Sequence, residues 1–140
     1  MRTITPALLM LLGLMPVWAA APQVDILSTH STHAVYEGVR HLSCLHKTSL
    51  CPDKCGHAKD VAVFRVTGYI AYQKTNSDYG DPRATQFLMP LVEGNEVNAT
   101  VLAFAKGLKV GDVVRLDWNH EYVKDNGGSY PRRRVTLLAR

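Results

Sequence analysis

Apolar and polar residues alternate with a period of two along most of this chain, which predicts a protein built mainly from β-strands. The clearest alternation covers residues 60–74. One face of this segment carries Ala62, Phe64, Val66, Ile70 and Tyr72, and the other carries Arg65, Thr67 and Tyr69. Gly68 interrupts the run, and a glycine inside a strand commonly marks a bulge or a sharp bend.

The pattern predicts four more strands, over residues 34–42, 85–92, 113–118 and 134–138. Pro90 cannot donate a hydrogen bond to a neighbouring strand, so the strand over 85–92 is expected at the edge of the sheet. Residues 98–106 predict a short helix, because Asn98 can cap it and good helix formers follow. Residues 20–33 have no apolar period and predict a flexible N-terminal lead, and residues 119–131 predict a long polar loop.

The order of these elements is strand, strand, strand, helix, strand, strand. It predicts a small five-stranded OB-like Greek-key barrel with one short helix between the third and fourth strands, as a single domain over residues 34–140. Another small barrel or an open sandwich has a compatible order. In an OB-fold the connections after the first and fourth strands flank the binding face, which here would be residues 43–60 and 119–131.

The first 19 residues have the pattern of a secretory signal peptide. A charged start at Arg2 precedes an apolar run over residues 7–18, and small residues follow at Ala19 and Ala20. The run is shorter than the ~20 residues of a membrane span, so cleavage after Ala19 is predicted to leave a periplasmic or secreted protein without a membrane span. An uncleaved N-terminal anchor is the alternative.

The composition changes this picture little. The formal net charge of the 140-residue chain is +4, and apart from Arg132, Arg133 and Arg134 its basic residues are dispersed. Nucleic-acid binding, which requires basic residues clustered on one face, is therefore not expected. An oxidising compartment outside the cytoplasm permits disulfides.

The strongest chemical signal is the segment 41–57, which holds all three cysteines and three of the six histidines of the chain. One helical turn would place Cys51 and Cys55 on the same side, and Gly56 would let His57 fold back toward them. With Cys44, these residues predict a tetrahedral site for zinc, although thiolates also suit monovalent copper. Further candidate ligands are His46, His41 and His120.

A disulfide is the competing interpretation of the same residues. Cys44 with Cys51, or Cys51 with Cys55, could form one bond and leave the third thiol unpaired. The chain would then be a disulfide-looped module that binds a glycan, a peptide or an envelope protein at the rim of the barrel. The rim candidates are Tyr69, Arg65, Tyr122 and Tyr130.

Catalysis is not expected from this sequence. It contains no nucleophile-elbow, paired-carboxylate or phosphate-loop pattern. Three residues separate Cys51 from Cys55, whereas the redox motif has two. The sequence therefore predicts a non-enzymatic protein that holds a metal ion, either to close the loop or to handle metal in the cell envelope.

Overall fold

The computed structural model describes residues 21–44, 58–75, 78–91 and 99–140, except for the side chains of residues 99–102. These residues form a five-stranded antiparallel sheet and one short helix. In chain order the elements are β1 (Gln23–Leu42), β2 (Lys59–Lys74), β3 (Gln86–Pro90), α1 (Ala99–Lys106), β4 (Val113–Asp125) and β5 (Gly128–Ala139). The mainly-β class and the helix between the third and fourth strands are confirmed.

The long strand β1 lies at the centre of the sheet and pairs with both β2 and β4, in the order β3-β2-β1-β4-β5. The position of β3 at an edge agrees with the prediction from Pro90. Among the described residues β3 and β5 do not pair with each other, so the sheet is not closed into a barrel. The finer assignment to an OB-like Greek key is therefore not confirmed.

The hydrophobic core lies on one face of the sheet, against α1. The predicted inward residues of β4, which are Val114, Leu116 and Trp118, are buried as expected. They pack with Phe64 of β2 and Phe87 of β3. Burial of each large side chain stabilises the fold by about 1.5–3 kcal/mol, so this cluster determines which face of each strand points inward.

The flexible lead predicted over residues 20–33 is wrong from Gln23 onward, because β1 begins there. Ser28, His30 and Thr32 alternate with exposed or half-buried neighbours and face the core. Their polar atoms have partners: the Thr32 hydroxyl donates to the Leu116 carbonyl oxygen at 2.8 Å, and Ser28 Oγ lies 2.9 Å from His30 Nε2. A strand with polar core residues has no apolar period, which explains the wrong prediction.

The inward face of β2 changes after Val66, because two of the three irregularities in its pairing with β1 lie between Val66 and Ala71. Ala34 pairs with Val66, but Thr32 pairs with Tyr69 and His30 with Tyr72. Each extra residue shifts the alternation by one position. The irregularity expected at Gly68 is thus confirmed as shifts of register on either side of it. Tyr69 faces inward rather than sharing a face with Arg65, and Ile70 is exposed.

Residues 119–131 are not a long loop, because β4 and β5 continue as a paired hairpin to Asp125 and Gly128. The turn is tight: the Gly127 amide donates to Asp125 Oδ1 at 2.8 Å, and Gly128 has a φ of 135°. This turn lies beside the start of β1, where Gln23 pairs with Lys124. The β1–β2 connection leaves the opposite end of β1, so the two predicted rim segments do not extend from the same end of that strand.

The predicted helix is confirmed, with bounds one residue shorter at its start than expected. Within the described part of the chain, no helix is long and apolar enough to cross a membrane. The predicted signal peptide, residues 1–19, lies outside the described residues.

Candidate functional site

The Cys/His segment lies in the connection between two neighbouring strands. Leu42 at the end of β1 pairs with Lys59 at the start of β2, so the two ends of the connection are about 5 Å apart. Cys44 lies two residues after the end of β1 and is half-buried. The other predicted ligands Cys51, Cys55, His46 and His57 lie outside the described residues, and their assignment stays a prediction.

His41 lies at the base of this connection. It pairs with Asp60 of β2, and its Nδ1 is 2.7 Å from Asp60 Oδ1. Both side chains are exposed, at 51% and 57%. A carboxylate on one ring nitrogen orients a histidine and favours metal binding through the other nitrogen.

His120 is far along the sheet from this base. It lies on β4 opposite Ser28, near the start of β1, whereas Cys44 follows the end of β1. The structure therefore does not bring His120 and Cys44 together. Among the described residues, no group of three or more His, Cys, Asp or Glu side chains is arranged to hold a metal ion.

A cavity lies at the His120 end, where the β1–β4–β5 sheet extends beyond the core. It has a volume of about 740 Å³, and we call it the hairpin pocket. Its lining residues are Asp25, Leu27, Tyr79, His120, Tyr122, Pro131, Arg132 and Arg133. Residues that pair across β1, β4 and β5 form it. Asp25, Tyr122 and Pro131 lie side by side on the three strands, and Ser28, His120 and Arg133 form the neighbouring set.

Asp81, from the β2–β3 connection, fixes the orientation of His120. The Asp81 backbone amide lies 3.2 Å from His120 Nδ1, and Asp81 Oδ1 lies 3.4 Å from the same nitrogen. An amide N–H can only donate, so Nδ1 accepts and the proton of the neutral ring is on Nε2. His120 thus offers a donor N–H to the pocket that it lines.

Arg133 of β5 binds the same carboxylate in a fork. Its Nε lies 2.5 Å from Asp81 Oδ2, and its Nη2 lies 3.0 Å from Oδ1. Burial raises the pKa of Asp81, but the hydrogen bond and the charge of Arg133 outweigh burial and hold that pKa below its ordinary value. The same hydrogen bond raises the pKa of Arg133. This pair ties the β2–β3 connection to β5.

Two tyrosines of β2 hold the rest of that connection. The Tyr72 hydroxyl donates to the Asp81 carbonyl oxygen at 3.0 Å, and the Tyr69 hydroxyl accepts from the Ala84 amide at 2.6 Å. The Arg83 guanidinium lies 5.4 Å from the centre of each tyrosine ring, within the range of cation–π attraction. The shift of Tyr69 to the inward face therefore brings its hydroxyl to Ala84, while Tyr72 holds Asp81.

His30 lies beneath this network and is only 2% exposed. Its ring stacks on Trp118 with centroids 4.5 Å apart, and its Nδ1 is 3.3 Å from the Tyr69 hydroxyl. Burial lowers its pKa, against the opposing charge of Asp81. Ser28, its other partner, is 1% exposed, so this Ser–His pair has no access to a substrate and stabilises the core. His30 is thus a core residue and not part of a flexible lead.

The opposite face of the hairpin carries a buried ion cluster. Glu121 is 0% exposed, and its two carboxylate oxygens each lie 2.9 Å from an arginine Nε, one from Arg132 and one from Arg134. Cross-strand pairing of Glu121 with Arg132 brings these groups together. Strand alternation therefore places the Arg133 side chain on the inward face, and Arg132 and Arg134 bind Glu121 on the other face. Arg132 also contributes to the lining of the hairpin pocket.

The structure does not gather the four rim candidates. Tyr122 lines the hairpin pocket, whereas Tyr130 lies on the opposite face of the same hairpin, because it pairs with Val123. Tyr69 is half-buried against His30. Arg65 is exposed on β2 and pairs with Glu37 at 2.7 Å.

Comparison with known proteins adds no further information on this site. No protein family model, no curated protein and no solved structure matches the chain. The residues that sequence reasoning missed, above all Asp81 and Arg133, come from separate strands and connections. Only the turn signal Asn126-Gly127 between two strand-forming segments could have indicated the hairpin that presents one of them.

Proposed function

We propose that this protein is an exported, non-enzymatic metal-binding domain. Cys44, Cys51, Cys55 and His57 hold a zinc or copper ion, which closes the β1–β2 connection or is handled in the cell envelope. The observation that supports this proposal is the pairing of Leu42 with Lys59. It restrains both ends of a segment that contains every cysteine of the chain.

The residue types suit the proposed ion. Three thiolates and one imidazole match the tetrahedral ligand sets of structural zinc, and thiolates also bind monovalent copper strongly. His46 is an alternative source of the nitrogen ligand. The pair of His41 with Asp60 supports the proposal, because it resembles the second-shell arrangement in which a carboxylate orients a metal-binding imidazole.

Two further proposals concern the fold and the location. We propose that the sheet curls into an OB-like barrel with its seam between β3 and β5, because β3-β2-β1-β4-β5 is the OB order opened there. Short interproton distances between β3 and β5 in solution would support it, and their absence would contradict it. We also propose cleavage after Ala19, which the mass of the exported protein tests.

The alternative function is a disulfide-looped binding module for a glycan, a peptide or a partner protein. Here a disulfide joins two of the cysteines, and the rim of the sheet binds the partner. The hairpin pocket, which is large enough for a small organic ligand, favours this alternative. The two functions predict different states of the same sulfur atoms, so one experiment separates them.

The test is a metal analysis of protein purified from the compartment to which it is exported, paired with a thiol count in denaturant. We expect one bound ion and three reactive thiols after chelation. The variants Cys51→Ser and His57→Ala should lose the ion. His33→Ala is the matched control, since His33 is an exposed histidine of β1 outside the connection.

Other results would overturn the proposal. One reactive thiol without bound metal would support the disulfide-looped module instead. A metal content that is unchanged in both Cys51→Ser and His57→Ala would show that the ligand assignment is wrong.

A further inference from the structure

The polar groups that line the hairpin pocket are mostly hydrogen-bond donors. His120 uses Nδ1 on the Asp81 amide and keeps its Nε2–H. Arg133 uses Nε and Nη2 on the Asp81 carboxylate, which leaves Nη1 for another acceptor. The Tyr122 hydroxyl adds a third group that can donate.

The acceptors of this region are already occupied. Arg133 takes both oxygens of Asp81. Asp25 accepts from Lys124 Nζ at 2.8 Å. The pocket therefore offers donors to a ligand and presents few acceptors, which favours a ligand that carries an anionic group.

The charged side chains around the pocket also favour an anionic ligand. The cationic side chains at this end of the sheet are Lys124, Arg132, Arg133 and Arg134, and their carboxylate partners are Asp25, Asp81 and Glu121. Among the side chains that line the pocket itself, Arg132 and Arg133 are cationic, whereas Asp25 is the one carboxylate. An excess cation beside preorganised donors attracts a carboxylate.

The apolar part of the lining suits a ring. Tyr79, which is 83% exposed, Tyr122 and Pro131 contribute flat surfaces that a sugar ring can cover. The volume of about 740 Å³ is that of a small-molecule site. A peptide carboxylate is more often captured by successive backbone amides, whereas the donors here are side chains, so the lining favours a saccharide.

We propose that the hairpin pocket binds an acidic saccharide, with the carboxylate of a uronic acid on Arg133 and His120 and a sugar ring against Tyr122. This site is at the other end of β1 from the Cys/His connection. It depends neither on the bound ion nor on the state of the cysteines, so the two proposals can fail separately.

The test is calorimetric titration of the mature protein with three probes. These are a galacturonate oligosaccharide, a neutral galactose oligosaccharide of equal length, and an acetylated peptide with a free C-terminal carboxylate. We expect the galacturonate probe to bind at least tenfold more tightly than either of the others. A charge-assisted hydrogen bond contributes enough free energy for about that ratio.

Two pairs of variants locate the site. Tyr122→Ala should weaken binding of the galacturonate probe about tenfold, and Tyr130→Ala, on the opposite face of the hairpin, should leave it unchanged. Arg133→Lys keeps the charge but loses the fork and should weaken binding by a similar factor, while Arg134→Lys should not. Circular dichroism of each variant establishes that it is folded.

Several outcomes would overturn the proposal. Absence of binding would do so, as would equal binding of the neutral probe. Preferential binding of the peptide would identify a different ligand class. Unchanged affinity in a folded Tyr122→Ala variant would place the saccharide elsewhere.

Discussion

At its Leu42 end β1 joins β2 through the segment that holds all three cysteines, whereas at its Gln23 end it supports the β4–β5 hairpin and the hairpin pocket. The residue types at the first end are conspicuous in the sequence. Those at the second end are common residues that become a cluster only through strand register. The difference shows that a candidate site can arise from spacing along the chain or from pairing across strands, and only the first can be found by inspection of the sequence.

The ion pairs at the two ends of β1 also differ in how deeply they are buried. At the Gln23 end Glu121 is fully buried between Arg132 and Arg134. At the Leu42 end His41 and Asp60 form a pair that is more than half exposed. Ion pairs in solvent contribute little to stability, whereas a buried carboxylate that loses its partners is costly. The two ends should therefore respond very differently to mutation.

The largest effect is expected from removal of both arginines around Glu121. The double variant Arg132→Ala with Arg134→Ala leaves a buried carboxylate without a cation, and the free energy of unfolding should fall by about 3–5 kcal/mol in denaturant melts. Adding Glu121→Gln to it should restore most of the loss. A double variant within about 1 kcal/mol of the parent would contradict this account of the cluster.

A smaller loss is expected at Gly80, where the β2–β3 connection crosses β1. A Cβ at this position would lie 2.6 Å from the Leu27 carbonyl oxygen, which is backbone and cannot move easily. Gly80→Ala should lower the free energy of unfolding by about 1–3 kcal/mol and shift the His120 amide resonance. Gly68→Ala is the control, because a Cβ there would meet no atom within 4 Å. Equal stability of the two variants would count against the close approach.

The acid dependence of stability should come from the Gln23 end. The pKa of His30 is below its ordinary value of 6.5 in the folded state, so the unfolded chain binds a proton more readily. The free energy of unfolding should therefore fall as the pH drops below 6.5. Asp81, whose pKa is below 3.8, should add a further loss in stronger acid as it becomes protonated.

The variant His30→Gln tests the loss of stability below pH 6.5 that is assigned to His30. It should flatten the dependence of the unfolding free energy on pH between neutrality and pH 5, where a free histidine gains its proton. His33→Gln, which changes an exposed histidine of the same strand, should retain the parent profile. If the parent protein became more stable on mild acidification, the pH dependence of its unfolding free energy would have the opposite sign to the one expected. That result would refute the buried neutral state of His30.

The smallest effect on stability is expected from Asp60→Asn at the Leu42 end. The free energy of unfolding should change by no more than about 1 kcal/mol, because the pair with His41 is exposed. If His41 contributes to metal binding, the affinity for zinc should fall by about tenfold or more. Competition with a chelator measures this affinity, and Asp117→Asn on β4 serves as a control. An unchanged affinity would remove His41 from the ligand set.

The sequence predicted the elements whose core residues are apolar. The alternation of Val114, Leu116 and Trp118 located the start of β4, and the helix formers before Gly107 located α1. It did not predict the first half of β1, because Ser28 and His30 are polar residues that are buried and hydrogen-bonded to each other. Hydrophobic periodicity cannot identify such a strand.

The hairpin pocket was missed for a related reason. Its strands extend beyond the core, so Tyr122 and Pro131 show no hydrophobic period. The turn signal at Asn126 lies within a polar segment that predicts a loop. Tyr69 was assigned to the wrong face because the irregular pairing of β2 is not visible in alternation. The contact of Asp81 with Arg133 depends both on the extended hairpin and on the irregular pairing of β2, so it could not be predicted from alternation.

The most direct test of the central claim, that the metal site and the hairpin pocket are separate, is a zinc titration of the reduced mature protein followed by backbone amide resonances. We predict saturation at one equivalent, with shifts at His41, Cys44 and Asp60 and none at His120 or Tyr122. Shifts centred on His120, or no saturable change at any residue, would contradict the account.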